Sequence, residues 1–543
     1  MKNGVSYNSF TRRTFLKSLS VLAVFALVPT VITACKNEVL KWIFKVTGAN
    51  HILGHRLWTK DFPKPSETVN VPVLIIGGGV TGLSAARQLV KKGFQDFFIL
   101  ELEKKIGGNS AHGENKLSKF PLAAHYLPLP NPDDVELISF LKESGVITHF
   151  ENDLPVFDEE QLCFQPQERL FIRNAWQEGL VPKYGNSVES AKETEHFFKL
   201  MEVIRGEKGS DGKYFFDIPL RQCSDDAKYR YLDSITMKKW MLDQSFQSEE
   251  LFEYVNYCCR DDFGFGIETV SAWAGIFYFT ARKNQVYQKD VVLTWPEGNG
   301  RLVKHLSESF KEKIKKQQIA FDVKHVNNTV EVLCFDEIQN KTIKYVAKKV
   351  ICATPQYVNG YLFTGRGKFG KGFQYAPWFT ATITLDYNFN PDNHPLSWDN
   401  VIYKSEGLGY VYNQHQSLGQ EVMMKVITYY YSFSSGDTAK SRKLLYKMSQ
   451  HDFEKKIIED LSIAHPDIAS CIKSVEVYKI GHGMVSPGVG FMFGKAKINA
   501  QESLNNNVFF AHTDLSGISI FEEAFHQGIA VANRVLNEEV LDS

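Results

Sequence analysis

The stretch Val73-Leu74-Ile75-Ile76-Gly77-Gly78-Gly79-Val80-Thr81-Gly82 decides the fold. An apolar strand runs into a glycine turn, and residues 83–90 continue with helical spacing. Gly77 allows the tight turn out of the strand, Gly79 lets backbone approach a pyrophosphate, and Gly82 lets the helix pack closely on the sheet. The first-turn amides and the helix dipole then face phosphate charge. A second strand, 97–100, ends at Glu101, placed to accept hydrogen bonds from ribose hydroxyls, and Gly107-Gly108 follow. A glycine motif alone is weak evidence. Here the preceding strand, the following helix and the acid at the right distance together predict a dinucleotide site.

Far along the chain a second signature appears: Phe509-Phe510-Ala511-His512-Thr513-Asp514, then Glu523-Ala524 and Gly528 on a helix. The pair of signatures predicts a flavin dinucleotide gripped from both ends of the polypeptide. Between them lie Trp295-Pro296-Glu297-Gly298-Asn299-Gly300, a helical run 301–310, strands at 319–323, 329–333 and 346–351, and Ala353-Thr354-Pro355. That order reads as a helix, a parallel strand and a small meander that extends the cofactor sheet.

The expected fold class is α/β: a discontinuous Rossmann-like FAD-binding domain plus an α+β substrate domain with an antiparallel sheet. The FAD-binding domain takes 71–130, 290–362 and 475–543; the substrate domain takes 131–289 and 363–474. Residues 131–289 read as mainly helical, with helices at 135–144 and 193–204. Strands at 379–385, 409–413 and 422–431 precede one long amphipathic helix, 438–461.

With 543 residues, 43% of them hydrophobic, the chain has enough apolar mass for a large core. Its 62 basic and 62 acidic residues balance, which gives no reason to expect nucleic acid as a partner. The eight cysteines include no C-x-x-C pair and no zinc-like spacing, so no metal site is expected. Export in the folded state implies folding in a reducing compartment, which favours thiols over disulfides.

The N-terminus reads as targeting, not fold. Thr11-Arg12-Arg13-Thr14-Phe15-Leu16-Lys17 resembles a twin-arginine export signal, with the apolar run 19–34 behind it, shorter than a spanning helix needs. Residues 1–34 are therefore expected to be a signal peptide handled by the twin-arginine machinery. Ile32-Thr33-Ala34-Cys35 resembles a lipobox, with Cys35 as lipid anchor; the alternative is a cysteine beside an ordinary cleavage site. The expected location is the periplasmic or cell-envelope side. Residues 35–70 read as a tether, with an amphipathic helix over 38–46. The two ends agree, since a buried cofactor needs a route that exports folded protein.

Together these motifs resemble the flavin-containing amine oxidase superfamily, which also holds protoporphyrinogen oxidases and phytoene-type desaturases. By that resemblance Glu101 holds the adenosine ribose, the Gly107-Gly108 loop passes the pyrophosphate, and Val323 places backbone on the adenine. Asp514 contacts the ribityl-pyrophosphate region, and the helix beginning near Glu523-Ala524 points its N-terminus at the flavin. The resemblance has departures. Asn109 stands where the family has Arg, Tyr361 falls where many members carry a flavin-site Lys, and Ile520 replaces a cage aromatic. His125, in Ala124-His125-Tyr126, and His482, where the family often has Trp, are the candidate bases, because imidazole suits proton transfer near neutrality. Each histidine alone reads as readily as a hydrogen-bonded structural residue. Trp273, Tyr278 and Trp295 are candidate cavity walls, with core packing the alternative, above all for Trp273; Arg260-Asp261-Asp262 is an anchor for a polar substrate end, a solvated charge cluster or a helix cap. The implied activity is hydride transfer from an amine or related small molecule to flavin. The alternatives are desaturation or isomerisation of an apolar, porphyrinogen- or isoprenoid-like substrate, and a non-catalytic flavoprotein lipoprotein scaffold.

Overall fold

The computed structural model describes residues 42–287, 291–365, 367–389, 396–417, 423–434 and 436–539. The leader, the lipobox and Cys35 lie outside the described residues. Residues 43–543 form one compact unit, and two large sheets organise it.

The nucleotide sheet grows from the apolar stretch that opened the sequence. Strand Pro65–Ile76 pairs in parallel with Phe97–Glu101 on one side and with Lys341–Cys352 on the other. Its last six residues, 71–76, are all buried or nearly so, as expected of a strand covered on both faces. Helix Val80–Lys91 packs on the sheet, and the C-terminal helix Phe521–Glu539 packs on that helix. Strand Val508–Phe510 joins beside Lys341–Cys352, so the late signature enters the same sheet. The strand order is Ile314–Lys316, Phe97–Glu101, Pro65–Ile76, Lys341–Cys352, Thr329–Asp336, Gln318–Val326.

One expectation changes here. The parallel strand after the glycine-loop helix is Ile314–Lys316, not 319–323. The stretch 319–323 lies in Gln318–Val326, an antiparallel member of the meander. Gln317, at φ 57°, breaks the chain between the two strands. The helix itself runs Gly300–Ser307 and tightens into a 3₁₀ turn from Glu308 to Lys313.

The second sheet has eight strands among the described residues. From one edge they run Ile43–Gly48, Ile472–Val485, Tyr375–Leu385, Lys425–Ser432, Tyr410–Tyr412, Asp399–Ile402, Glu168–Ile172 and Ala175–Glu178. Tyr375–Leu385 and Lys425–Ser432 are buried along their whole length. One face packs under helix Gln450–Leu461, where Phe453 meets Phe379 edge-on at 5.1 Å. On the other face the paired residues Thr380 and Tyr430 reach the loop beyond the glycine pair: Thr380 Oγ1 donates to Leu122 O (2.9 Å) and Tyr430 Oη to Ala123 O (2.9 Å). This alternation places the sheet against the cofactor loops.

Three further expectations are corrected. The tether 35–70 is folded over its described part. Ile43–Gly48 is a strand, parallel to Ile472–Val485, where a helix over 38–46 was expected. β-branched Ile43, Val46 and Thr47 suit that sheet edge. Helix His51–Thr59 follows, burying Leu53 and Leu57. The mainly helical segment 131–289 also holds a hairpin, Ile147–Glu151 with Leu154–Phe157, and the two strands that finish the large sheet. The single helix 438–461 is two, Thr438–Lys447 and Gln450–Leu461, because Ser449 and Asp452 form a capping box that starts a new helix.

Gly82 is where the nucleotide sheet and its helix come closest. A Cβ there would lie 1.9 Å from the Gly77 carbonyl oxygen, inside its van der Waals radius. Gly82→Ala should therefore cost about 1–3 kcal/mol or more of stability, read as a lowered melting temperature of the cofactor-free protein; an unchanged melting curve would contradict this packing.

Candidate functional site

The glycine turn forms as its residues dictate. Gly77 takes φ 108°, its N–H donates to Leu100 O (2.9 Å), and a Cβ there would meet Ala353 O at 2.5 Å. The Gly78 N–H donates to Glu101 Oε2, and the Glu103 N–H to Oε1, each at 2.7 Å. Glu101 is buried, and burial pushes its carboxyl up to about 7. Gly79 caps helix Val80–Lys91 with no side-chain cap, so the first-turn amides are left for a ligand. A Cβ on Gly79 would meet nothing within 4 Å. The Gly107-Gly108 loop closes over it: Gly107 N–H donates to Gly78 O (2.8 Å), and Gly108 approaches Gly79. An open cradle at a helix N-terminus beside a buried carboxylate fits a dinucleotide pyrophosphate and its ribose.

The late signature sits alongside. Asp514 is 1% exposed. Its carboxylate accepts the Gln356 N–H (2.8 Å) and the Tyr375 hydroxyl and faces His512 Nδ1 at 3.0 Å. Burial alone would raise its proton affinity, but His512, Tyr375 and the Gln356 amide together hold the carboxyl below the usual range. The Asp514 carboxylate is thus engaged by the protein itself. Val323 is buried in the meander, opposite Val332. Glu523 accepts the Leu220 N–H (2.6 Å) and is pushed up to about 7 by burial. Its side chain lines a separate cleft of about 510 Å³ with Arg221, Trp273 and Lys497, and Ala524 is buried beside it.

The catalytic candidates part company. Tyr361 is 43% exposed on helix Gln356–Leu362 and joins neither site. On that helix Tyr357 points inward instead and stacks on His482 at 3.9 Å. His482 also meets Tyr375 at 5.6 Å, which places it beside Asp514. Burial, with Arg442 nearby, pushes its imidazole down to about 3, so it is neutral. Asn109, in the family's arginine position, donates from Nδ2 to Gly483 O and ties the glycine loop to this strand.

His125 lies in a recess of its own. Its backbone is fixed to the glycine loop, because Ala124 N–H donates to Asn109 O (2.9 Å). Its ring meets Tyr430 at 4.7 Å, Tyr126 at 5.0 Å and Trp398 at 5.6 Å. Burial pushes it down to about 4. Nδ1 approaches Ala123 O at 3.4 Å, the arrangement that leaves Nε2 as the proton acceptor.

Across this recess stand groups that lie far apart in sequence. Helix Glu249–Phe263 brings Tyr257, Asp261 and Asp262, and Tyr278 comes from Ala272–Thr280. Asp399 sits next to Glu168 in the parallel register of two strands. Asp261, Asp262 and Asp399 retain part of their surface, yet burial dominates their acidity, as expected for groups facing an internal hollow. Burial and mutual repulsion push Asp261 up to about 6, Asp262 to about 7 and Asp399 well above the carboxylate range. Tyr126 lies in the field of Asp262, Asp261 and Asp399.

The neighbouring arginines are occupied. Arg282 pairs with Glu522, and Arg260 turns to the carbonyls of Ser405 (3.1 Å) and Gly407 (3.3 Å). Asp261 and Asp262 have no ion-pair partner among the described residues. Of the proposed walls, Tyr278 faces this recess, Trp273 the other cleft, and Trp295 is core, donating to Gln161 (2.9 Å). The cysteines among the described residues are free, and no cluster there suits a metal.

A dinucleotide cradle whose glycine loop continues into an aromatic, acidic recess fits an oxidoreductase built around a bound nucleotide cofactor. Residues 80–536 match the family of flavin containing amine oxidoreductases, and the chain belongs to it: a flavin-dependent oxidoreductase with FAD as cofactor. The flavin-containing amine oxidase of Oncorhynchus mykiss is 34% identical over 91 residues, 17% of this chain and 16% of that one. An iron-sulfur subunit of the CoB–CoM heterodisulfide reductase of Methanopyrus kandleri is 33% identical over 119 residues, 19% and 17%. The matched part is thus about a sixth of those relatives' length. Fold similarity extends much further. Putrescine oxidase bound to putrescine superposes with TM-score 0.65 at 14% identity over 87% of this chain and all of that one. Cyclohexylamine oxidase from Brevibacterium oxydans gives 0.62 at 14%, over 87% and 99%. A fatty acid isomerase from P. acnes gives 0.61 at 12%, over 86% and 98%. These structures establish the shared fold.

Because Gly79 has open space where a methyl would go, Gly79→Ala should leave the melting temperature of the cofactor-free protein unchanged. It should weaken FAD binding by about tenfold or more, since backbone can no longer approach phosphate, as measured by titrating apoprotein with FAD. Equal affinities would remove the cradle from the cofactor site.

Proposed function

We propose that this chain is an exported FAD-dependent amine oxidase or dehydrogenase whose substrate is a cationic amine. The observation that supports it is the recess around His125, where Asp261, Asp262 and Asp399 crowd together and the cations in reach, Arg260 and Arg282, are hydrogen-bonded elsewhere. A desolvated cluster of acids is stabilised by whatever positive charge enters it. The aromatic walls, Tyr126, Tyr257, Tyr430 and Trp398, suit the carbon chain and the ammonium face of such a substrate.

FAD held by the Gly77–Gly82 turn, Glu101 and the Gly107-Gly108 loop would supply the hydride acceptor for oxidation at the carbon next to nitrogen. The protein's part is to bind, orient and handle protons. The carboxylates draw the ammonium in and fix its distance from the glycine loop. A neutral His125, with Nε2 free to accept, takes a proton from the amine so that the nitrogen lone pair is available. Apolar walls and the Tyr430–Ala123 hydrogen bond keep the site dry and the loop in place. The residues of the leader and Cys35 support export by the twin-arginine route and retention at the envelope as a lipoprotein.

The decisive assay is anaerobic bleaching of the flavin by a panel of mono- and diamines, fatty acids and porphyrinogens. Reduction by amines is expected; reduction by fatty acids or porphyrinogens alone would overturn the reading. Asp262→Asn should raise KM for a diamine by about tenfold, one desolvated charge contact, with a smaller effect on kcat. His125→Gln should do the reverse, lowering kcat by about 10²–10⁴-fold.

The acids also fix a pH signature. Their folded-state values lie above the ordinary carboxylate range, so their contribution to stability is present in acid and is lost as pH rises toward about 7. In melting curves of ligand-free protein, Asp262→Asn should flatten the decline between about pH 4 and 7. An added diamine should stabilise the parent protein more at pH 8 than at pH 5. Parallel pH profiles for parent and variant would contradict the assignment.

A further inference from the structure

The N-terminal elements carry a surface that the reaction does not use. Strand Ile43–Gly48 and helix His51–Thr59 expose Ile43 (76%), Ile52 (75%) and Trp58 (60%). The neighbouring helix Thr438–Lys447 meets them through Tyr446, whose ring lies 4.6 Å from His51. On that helix Lys440, Lys443 and Lys447 occupy one exposed face with Leu444, which is 52% exposed. None of these three lysines has an ion-pair partner among the described residues. The acids nearby are already engaged: Glu476 by Lys45, Asp61 by Arg56, and Asp437 as the helix cap.

We propose that this face docks on an anionic lipid bilayer. Exposed Ile and Trp beside unpaired lysines is the pattern of an interfacial surface: the apolar groups enter the headgroup boundary while the lysines meet lipid phosphate. Chain length limits how far this face can sit from a lipid-anchored Cys35. Seven residues lie between Cys35 and Ile43, eight Cα steps that span at most roughly 28 Å when extended. An acyl chain on Cys35 would therefore keep this face within that reach of the lipid surface. A single acyl chain anchors weakly, and a basic apolar face is the kind of second contact that makes anchoring stable. No helix among the described residues is long and apolar enough to cross a membrane.

The proposal rests on the envelope location for its biological sense, but the surface is testable alone. Residues 43–543 form the compact unit, so FAD-loaded protein starting at residue 36 lacks both leader and lipid. It should sediment with vesicles containing phosphatidylglycerol, weakly or not at all with pure phosphatidylcholine, and less as salt rises. Reversing the three lysines to Glu, or changing Ile52→Glu with Trp58→Glu, should each reduce binding by about tenfold or more. Melting temperature, FAD content and turnover should stay unchanged, which confirms intact fold. Equal binding to neutral vesicles, or variants that bind as the parent does, would overturn the proposal. So would a self-associated dimer that buries this face in place of lipid. Export and acylation are read separately, from the envelope fraction of the full chain and of Cys35→Ser; their failure leaves the vesicle result standing, and the converse.

Discussion

The parallel pairing of Pro65–Ile76 with Lys341–Cys352 is the contact on which the molecule turns. Its register runs from Thr342 opposite Pro65 to Cys352 opposite Ile76. At its far end three chain segments meet within hydrogen-bonding distance: Ala353 N–H donates to Ile76 O (2.8 Å), and Ala511 N–H to Cys352 O (3.1 Å). The glycine turn, the Ala353-Thr354-Pro355 corner and the entry to Asp514 are thereby set side by side. Parallel strands cannot be joined by a tight turn, so the intervening chain must leave and return. That excursion contributes Glu168–Ile172 and Ala175–Glu178 to the large sheet, whose other strands lie outside it, and it brings His125, Asp261 and Asp262 to the recess.

This accounts for what could be read from the chain. Gly77, Gly79, Gly82 and Glu101 are bound together by local geometry, strand into turn into helix, and local geometry leaves a local pattern. Asp514 was legible because it lies a few residues after a buried strand of the same sheet. The recess had no such pattern. Asp261 and Asp262 stood out as a possible anchor for a polar substrate end, but nothing in the pattern separated that reading from a solvated charge cluster or a helix cap. Asp399 and Glu168 become neighbours through strand register alone, which no window of sequence contains. Counting failed at Tyr361 for a related reason: the helix after Pro355 turns Tyr357 inward and Tyr361 out. The N-terminal strand was missed because a short apolar run suits either period, and the sheet edge that chooses between them lies in another part of the chain.

One departure from the family also gains a physical reading. An arginine after the paired glycines would bring a permanent cation to the loop; Asn109 brings a neutral donor, which is spent on Gly483 O. The loop is therefore held by hydrogen bonding to the large sheet, with Tyr430 and Thr380 securing its continuation. No added positive charge reaches the recess from that side, so Arg260 and Arg282, both engaged elsewhere, are what offsets its acids.

That imbalance is the least comfortable feature of the fold, and it is informative for that reason. Desolvated carboxylates in mutual repulsion lower stability at neutral pH, and hydrophobic residues of similar size would remove the penalty. A scaffold with no ligand to bind gains nothing from keeping them. An enzyme that takes up a hydrated ammonium would gain, because carboxylates that burial has stripped of water and pushed up would offset the ammonium's own loss of hydration. The neutral His125 completes the logic. Carboxylates favour the protonated amine, whereas oxidation at the adjacent carbon needs the free lone pair. Burial keeps the His125 imidazole neutral, pushed down to about 4, so in the proposed reaction the carboxylates would hold the ammonium and the imidazole would be the acceptor for its proton.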